Sequence, residues 1–451
     1  MEHVDVAIVG GGPGGASAAW TAAEHGANAV VFEKGVPREE RTDPGPDSTD
    51  AAGLLDYWVD LMEFGPEELP DEVVLQELTG AKFVGPQKEL TLSTTGIPSR
   101  YPSFGLAFDR AAFDDWLHEE SKAAGASYRV GDSVIDVETD LDGREPSHTL
   151  TLADGDQFEA DYLVLADGPQ RTVTVETLDQ FTPADRQMAD LLDPSQVNHI
   201  AYQEHRRVPA GLADSTQLQF WWGHMPGHTA YPWVFPNHDN VSRIGLTMPI
   251  GLDIDEFDAD NWPLLRSDDE RIPRGEEYLR RLIEHEYPAY DLDDMPLVED
   301  RGKQGGVETY PISSTRPIES PTGANIAVVG GAMGGTSAFH EGGDHIAVRT
   351  GKIAGELAAT GSLAEYNQSW QRALDLELSR NVTVAELVDG YGPSDWDQAF
   401  QIANIVADNS KLKALLKSGV SGLRLLWNYR RALSRYNNGG YVQFREREYA
   451  V

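Results

Sequence analysis

A glycine-rich turn between two apolar runs leaves the amino end of this chain few folds to choose from. Val6-Ala7-Ile8-Val9 leads into Gly10-Gly11-Gly12-Pro13-Gly14-Gly15, then an alanine-rich stretch, then Ala29-Val30-Val31-Phe32 closed by Glu33. Strand, glycine turn, helix and strand in that order make a βαβ unit of the dinucleotide-binding kind. Gly10 is expected to make the tight turn, Gly12 to let the backbone approach a pyrophosphate, and Gly15 to let the helix sit close on the sheet. Backbone N–H groups at the helix start would face the pyrophosphate. Glu33 stands where a carboxylate accepts hydrogen bonds from a ribose, and Gly14 and Lys34 complete the expected binding set. The pattern predicts a bound adenine dinucleotide.

With 451 residues the chain can build two or three domains around more than one core. It carries 74 acidic against 36 basic residues, a net charge of −38. That balance fits a high-salt cytoplasm, where counterions screen self-repulsion, and it disfavours nucleic acid as a partner. The absence of cysteine excludes disulfides, thiol catalysis and cysteine-held iron–sulfur clusters; no metal ligand set is expected. No apolar run reaches the roughly 18–20 residues of a spanning helix, so a cytoplasmic protein is expected, soluble or peripheral on the inner membrane face.

Further along, residues 35–50 read as a loop and 70–100 as strands of a separate sheet. Asp109 should cap a helix running to Gly125. Arg110 then sits in its first turn, where a cation opposes the helix dipole unless it has an anionic or hydroxyl-rich partner; a surface arginine among acids is the equal alternative. Strands follow to Tyr162-Leu163-Val164-Leu165, and Asp167-Gly168 falls at the carboxyl edge of the sheet, where open α/β sheets bind ligands. Between 176 and 309 the period changes to two, and Tyr231, Trp233 and Phe235 share one strand face. Spacing alone favours core for these three over the wall of a flat cavity. The chain then returns to a strand, Ile326–Val329, a turn rich in glycine (Gly330, Gly331, Gly342, Gly343) and a helix from Asp344 to Ala359. Small residues at Ala347, Gly351, Ala354 and Gly355 would allow that helix a close neighbour.

These features in this order resemble the FAD-binding oxidoreductases of the p-hydroxybenzoate-hydroxylase-like fold. Tyr231-x-Trp233-x-Phe235-Pro236 is similar to the signature of the geranylgeranyl reductase family, and Leu363, Tyr366 and Trp370 resemble its closing segment. The resemblance implies an α/β fold: a Rossmann-like FAD-binding domain (1–60, 105–175, 310–370), an inserted antiparallel-sheet substrate domain (61–104, 176–309) and a C-terminal helical segment (371–451). It implies that Gly10, Gly12, Gly15 and Glu33 hold the ADP half of FAD and that Arg110 reaches its ribityl–phosphate side. Gly330 to Gly343 would line the flavin, with Asp167-Gly168 at the same edge. Tyr231, Trp233 and Phe235, with Trp222 and Pro236, would wall a cavity for a prenyl chain, reversing the preference for core. Three departures stand out: Gly330-Gly331 where relatives carry Gly-Asp, Asn237 where a lysine often follows the proline, and no cysteine near positions 50–53.

The activity so implied is reduction of isolated C=C bonds in isoprenoid chains of archaeal-type lipids or polyprenyl quinones. The cofactor would supply the hydride and His340 or Glu341 the proton; capping the following helix is the even alternative for both residues. The electron donor stays open among a ferredoxin, a flavoprotein and NAD(P)H. Competing readings are a cluster-free electron-transfer-flavoprotein:quinone dehydrogenase and a non-catalytic flavin- or lipid-binding relative. From Asn409 to Arg445 the chain has no acidic residue. Leu412, Leu415, Leu416, Val420, Leu423, Leu426 and Trp427 fall on one arc of a helix, edged by Lys413, Lys417, Arg424 and Arg431, the pattern of a segment lying on an anionic membrane surface.

Overall fold

The computed structural model describes residues 1–40, 53–192, 199–213, 215–299, 301, 305–312, 316–408 and 411–451, with side chains of the last helix described from position 422 onward. Most of the expected 35–50 loop, and positions 50–52, lie outside that set.

Five strands run parallel in the first sheet, in the spatial order Ser127–Val130, Ala29–Glu33, Glu2–Val9, Gln157–Leu165, Ile326–Val328. Their apolar runs are continuous because both faces are covered: Val6, Ala7 and Ile8 are fully buried. Val9 stands opposite both Phe32 and Leu165, and Leu165 opposite Val328. The carboxyl ends are therefore level, and the turns that follow them open on one edge. The stretch Gln157–Leu165 is one continuous strand. Its first half also pairs antiparallel with Ser147–Leu152, which pairs with Val134–Asp140.

The helix Pro13–Glu24 packs on the helix Asp344–Ala359 almost backbone to backbone. A Cβ on Gly351 would lie 2.1 Å from the Gly14 carbonyl oxygen, and one on Gly355 2.0 Å from that of Ala18. This close approach brings the first and last segments of the nucleotide-binding layer together.

The second sheet has seven strands, ordered Val307–Ile312, His199–Arg207, Val241–Pro249, Tyr231–Pro236, Gln217–Trp221, Gly80–Val84, Glu89–Leu92. One neighbouring pair departs from the expected antiparallel arrangement: Gln217–Trp221 runs parallel to Gly80–Val84. The two come from distant segments, so no hairpin constrains their direction. One face packs Trp221, Val234, Ile244 and Leu246 against the helix Gly275–Glu286. The other presents Trp222, Tyr231, Trp233 and Phe235. A three-stranded sheet (Gly53–Leu55, Gly105–Phe108, Val74–Leu78) sits between the larger two. Helices Tyr366–Val388, Pro393–Asp408 and Lys411–Arg435 follow. The final residues return to the first layer: Phe444 is fully buried, Glu319 N donates to its carbonyl (2.9 Å), and Tyr449 Oη donates to the Glu319 carbonyl (2.8 Å).

Candidate active site

At the level edge of the first sheet the glycines meet their geometric requirements. Gly10 adopts φ +100°, and a Cβ there would stand 2.4 Å from the Ala166 carbonyl oxygen. A Cβ on Gly15 would strike the Gly10 oxygen at 1.8 Å, while one on Gly12 would meet nothing within 4 Å. Gly12 therefore offers open backbone at the start of a helix, the cradle a pyrophosphate needs. Glu33 lies beneath this loop, accepting from Gly11 N (2.7 Å) and Gly35 N (2.6 Å). Lys34 Nζ points instead to Gln170 Oε1 (3.3 Å).

Asp167 and Gly168 stand at the same edge, but the carboxylate faces inward. It accepts from Val173 N (2.8 Å), Thr174 N (3.1 Å) and the Thr174 hydroxyl, fastening the start of the next helix. Burial pushes its carboxyl up against those hydrogen bonds. Gly331 lies against Pro169, which a Cβ would meet at 3.2 Å, and its carbonyl accepts from the buried Arg171 Nε (3.2 Å). The carboxylate that the family resemblance leads one to expect at 331 would have to displace this contact. Arg171 drew no attention in the sequence. Gly330 adopts φ +56° and would clash with Ala347 through any Cβ (2.8 Å), and its N–H donates to Thr350 Oγ1 (3.0 Å).

Arg110 has the anionic partners its position demanded. It is buried, with Nε 2.8 Å from Asp114 Oδ1 and Nη1 2.8 Å from Asp344 Oδ1. Asp344 opens the helix that follows the glycine turn, so the pair fastens the two helix starts to each other. Burial pushes the Asp114 carboxyl up to about 6, opposed by Arg110.

The turn 337–343 connects this edge to a cavity of about 240 Å³. Trp222, Tyr231, Trp233 and Phe235 line it together with Trp58, His340, Glu341 and Gly342. Pro236 ends its strand outside the lining, and Gly343 caps the following helix. Tyr231 and Trp233 are both core and cavity wall, since a strand face can be closed to water and open to a slot at once. Trp222 stacks on Tyr231 (4.3 Å, 28°) and on Phe339 (5.0 Å, 8°). The Trp233 indole donates to Gln203 Oε1 (3.2 Å), whose amide donates to the buried Glu308 (2.9 Å). Gly245 faces Trp233 across the strands, where a Cβ would stand 2.5 Å from the ring. A glycine inside a strand signals such an approach, and that signal was legible.

His340 and Glu341 do not cap the helix: its N-cap is Gly343, with no side-chain cap bond. Glu341 adopts φ +58°, an uncommon conformation for a residue with a side chain. Its side chain is 3% exposed, accepts from Thr229 Oγ1 (3.2 Å) and the Thr247 hydroxyl, and lies 3.4 Å from His199 Nε2. Burial pushes its carboxyl up to about 8, so at neutral pH it carries a proton. Burial pushes the His340 imidazole down to about 4, so it does not. Tyr231 Oη donates to the His340 carbonyl (3.0 Å), fixing the turn against the wall.

A second feature was missed in the sequence. Glu377, in the middle of the helix Tyr366–Val388, is buried behind the cavity and accepts from Tyr57 Oη (3.0 Å), Trp58 Nε1 (3.0 Å), Asn381 Nδ2 (2.9 Å) and Arg380. His345 stacks on Trp58 (4.1 Å, 5°) with Nε2 3.4 Å from the same carboxylate. Burial pushes the Glu377 carboxyl up, but His345, Arg380 and His340 outweigh it and hold it well below the usual range.

Residues 3–193 match the model of an FAD-binding domain. The chain is 24% identical to the digeranylgeranylglycerophospholipid reductase of Methanocaldococcus jannaschii, over 92% of this chain and 94% of that protein. It is 25% identical to digeranylgeranylglycerophospholipid reductase 2 of Methanococcoides burtonii, over 95% of both. Among solved structures, a geranylgeranyl bacteriochlorophyll reductase-like protein of Thermoplasma acidophilum superposes with TM-score 0.68 at 18% identity, covering 97% of this chain and 99% of that one. Along nearly its whole length the chain is similar to proteins named as geranylgeranyl-type reductases. A flavoprotein/dehydrogenase of Cytophaga hutchinsonii shares the fold alone (TM-score 0.60, 15% identity, 96% of this chain and all of that one). The nucleotide named by the matched domain model is FAD, and the open backbone at Gly12 fits it.

Proposed function

We propose that this protein is an FAD-dependent reductase of isolated C=C bonds in geranylgeranyl-type chains of archaeal-type membrane lipids or polyprenyl quinones. The observation that carries it is a buried carboxyl, Glu341, opening into an aromatic slot on the turn that leaves the dinucleotide edge. Gly10, Gly12, Gly14, Gly15 and Glu33 hold the ADP half, while Lys34 is turned to Gln170. Arg110, Asp167, Gly168, Gly330, Gly331, Gly342 and Gly343 shape the flavin end. When bound and reduced, the cofactor supplies a hydride.

Saturating one alkene takes one hydride and one proton, each carbon gaining a hydrogen. Glu341 holds that proton at its carboxyl; after its release, the Thr229 and Thr247 hydroxyls stabilise the carboxylate until solvent returns a proton. Trp222, Tyr231, Trp233 and Phe235 orient the chain and exclude water, which an unactivated alkene requires. Neutral His340 packs edge-on against Trp58 (5.7 Å) and shapes the slot.

The protein is reduced anaerobically with dithionite, which replaces the natural donor (ferredoxin, flavoprotein or NAD(P)H), and given a digeranylgeranyl lipid. A mass gain of two hydrogens per bond supports the proposal. Oxidation by a quinone alone favours the dehydrogenase reading, and no turnover leaves a binding protein.

The helix Lys411–Arg435 supports peripheral attachment to an anionic bilayer. Leu423 and Trp427 are 49% and 60% exposed, and Arg424, Arg430 and Arg431 are exposed beside them. No described helix is long and apolar enough to cross a membrane. The net charge of −38 fits a high-salt interior.

A further inference from the structure

On the far side of the aromatic wall, away from the glycine edge, two histidines and a carboxylate converge. His224 follows Trp222 and Gly223 in the loop after Gln217–Trp221, and His285 and Glu286 end the helix Gly275–Glu286. The Glu286 Oε1 oxygen lies 3.5 Å from His224 Nε2 and 3.6 Å from His285 Nε2. All three atoms fall within 4.8 Å of one another. These separations are long for hydrogen bonds. They are close to the edge of about 3.3–3.4 Å spanned by tetrahedral ligands about 2.0–2.1 Å from a zinc ion.

Three further observations point the same way. His224 is buried, and its Nδ1 faces the Trp222 carbonyl (3.3 Å). Donation there leaves Nε2 as the lone-pair nitrogen toward the other two ligands, the orienting contact that metal-bound histidines use. His285 and Glu286 occupy the last turn of a helix, where unpaired carbonyls favour a cation. His285 is exposed, yet its ring stands edge-on to that of His224 (5.9 Å, 73°) with Nε2 over the same Glu286 oxygen, so both imidazoles converge on one carboxylate. Among the described residues the other grouping of this kind, His3, Asp5 and Asp161, has an Asp5 already accepting from Asn28 N (2.7 Å).

We propose that His224, His285 and Glu286 form a binding site for a divalent transition metal of the zinc class, with the fourth position open to water. The ion would staple the loop after Gln217–Trp221 to the helix Gly275–Glu286. That loop carries Trp222 of the cavity wall and runs to Thr229, the hydroxyl bonded to Glu341. The site therefore supports the cavity from behind and takes no part in hydride or proton transfer.

The test titrates the full-length, FAD-loaded protein with Zn²⁺, and separately with Co²⁺, after chelator treatment. The expected result is one ion per chain, with the intense visible bands of four-coordinate Co²⁺, and Mg²⁺ failing to compete. His285→Ala, an exposed change that leaves folding intact, should weaken binding at least tenfold, as should Glu286→Gln, while His3→Ala should change nothing. Affinity unchanged in the His285→Ala/Glu286→Gln double variant would overturn the proposal, as would no stoichiometric binding or a loss confined to His3→Ala.

Discussion

At Glu341, backbone and burial act on one residue. The left-handed φ goes with a side chain turned into a buried pocket, and burial raises its carboxyl to about 8. A raised acid is protonated below that value, so lipid saturation should hold steady through neutral pH and fall as pH rises through about 8. Glu341→Gln should lower the single-turnover rate by about 10²–10⁴ while lipid binding stays within a few fold. A rate within threefold of the native protein would remove Glu341 as donor. Gly245→Ala forces the Trp233 ring from its place, costing about 1–3 kcal/mol by thermal unfolding, and should slow turnover even where the fold survives. His340 and Glu341 could be picked out by their place after a glycine-rich strand end. Their protonation states could not, because those depend on burial and on side chains from other segments, Thr247 and Thr229 for Glu341 and Glu377 and Arg380 for His340.

Among the elements, the helix pair Pro13–Glu24 and Asp344–Ala359 shows how far periodicity reaches. The alanine and glycine spacing announced close packing, and Gly351 and Gly355 meet the carbonyls of Gly14 and Ala18. Gly351→Val should therefore destabilise by about 1–3 kcal/mol or more and weaken FAD retention, read by flavin release on dilution. The helix Tyr366–Val388 gave no such notice of Glu377, since a glutamate amid Leu374 and Leu378 reads as a surface position. Its carboxyl is held below the ordinary range, so the stability it contributes is complete above the unfolded value of about 4.3 and is lost as pH falls below that toward the folded value. Glu377→Gln leaves Arg380 without its buried counter-charge and should cost about 3–5 kcal/mol, measured by denaturant unfolding at pH 7. A loss under 1 kcal/mol would mean that Tyr57 and Trp58 are held by packing alone.

Over the whole molecule, charge is divided unevenly: a surface of net −38 ends in a basic helix exposing Leu423 and Trp427. Leu423→Ala/Trp427→Ala should release the protein from anionic vesicles in a flotation assay, with raised salt weakening native binding only in part. Removing the tail from 409 onward is not an equivalent test, because Phe444 and Tyr449 belong to the core of the first layer. Raising KCl from about 0.1 M to several molar should raise the melting temperature, as shorter screening lengths relieve self-repulsion. By itself the sequence determined what local spacing can encode: the dinucleotide turn, the parallel strands, the capped helix after Asp109, the small-residue helix faces and the aromatic strand. Only the tertiary structure decided which face of that strand meets the turn at Glu341, that Asp167 fastens a helix, that Arg110 is answered by Asp114 and Asp344, and that Glu377 is buried. Those outcomes depend on contacts between segments far apart in the chain, and burial, which sets charge and protonation, exists only once such segments have met.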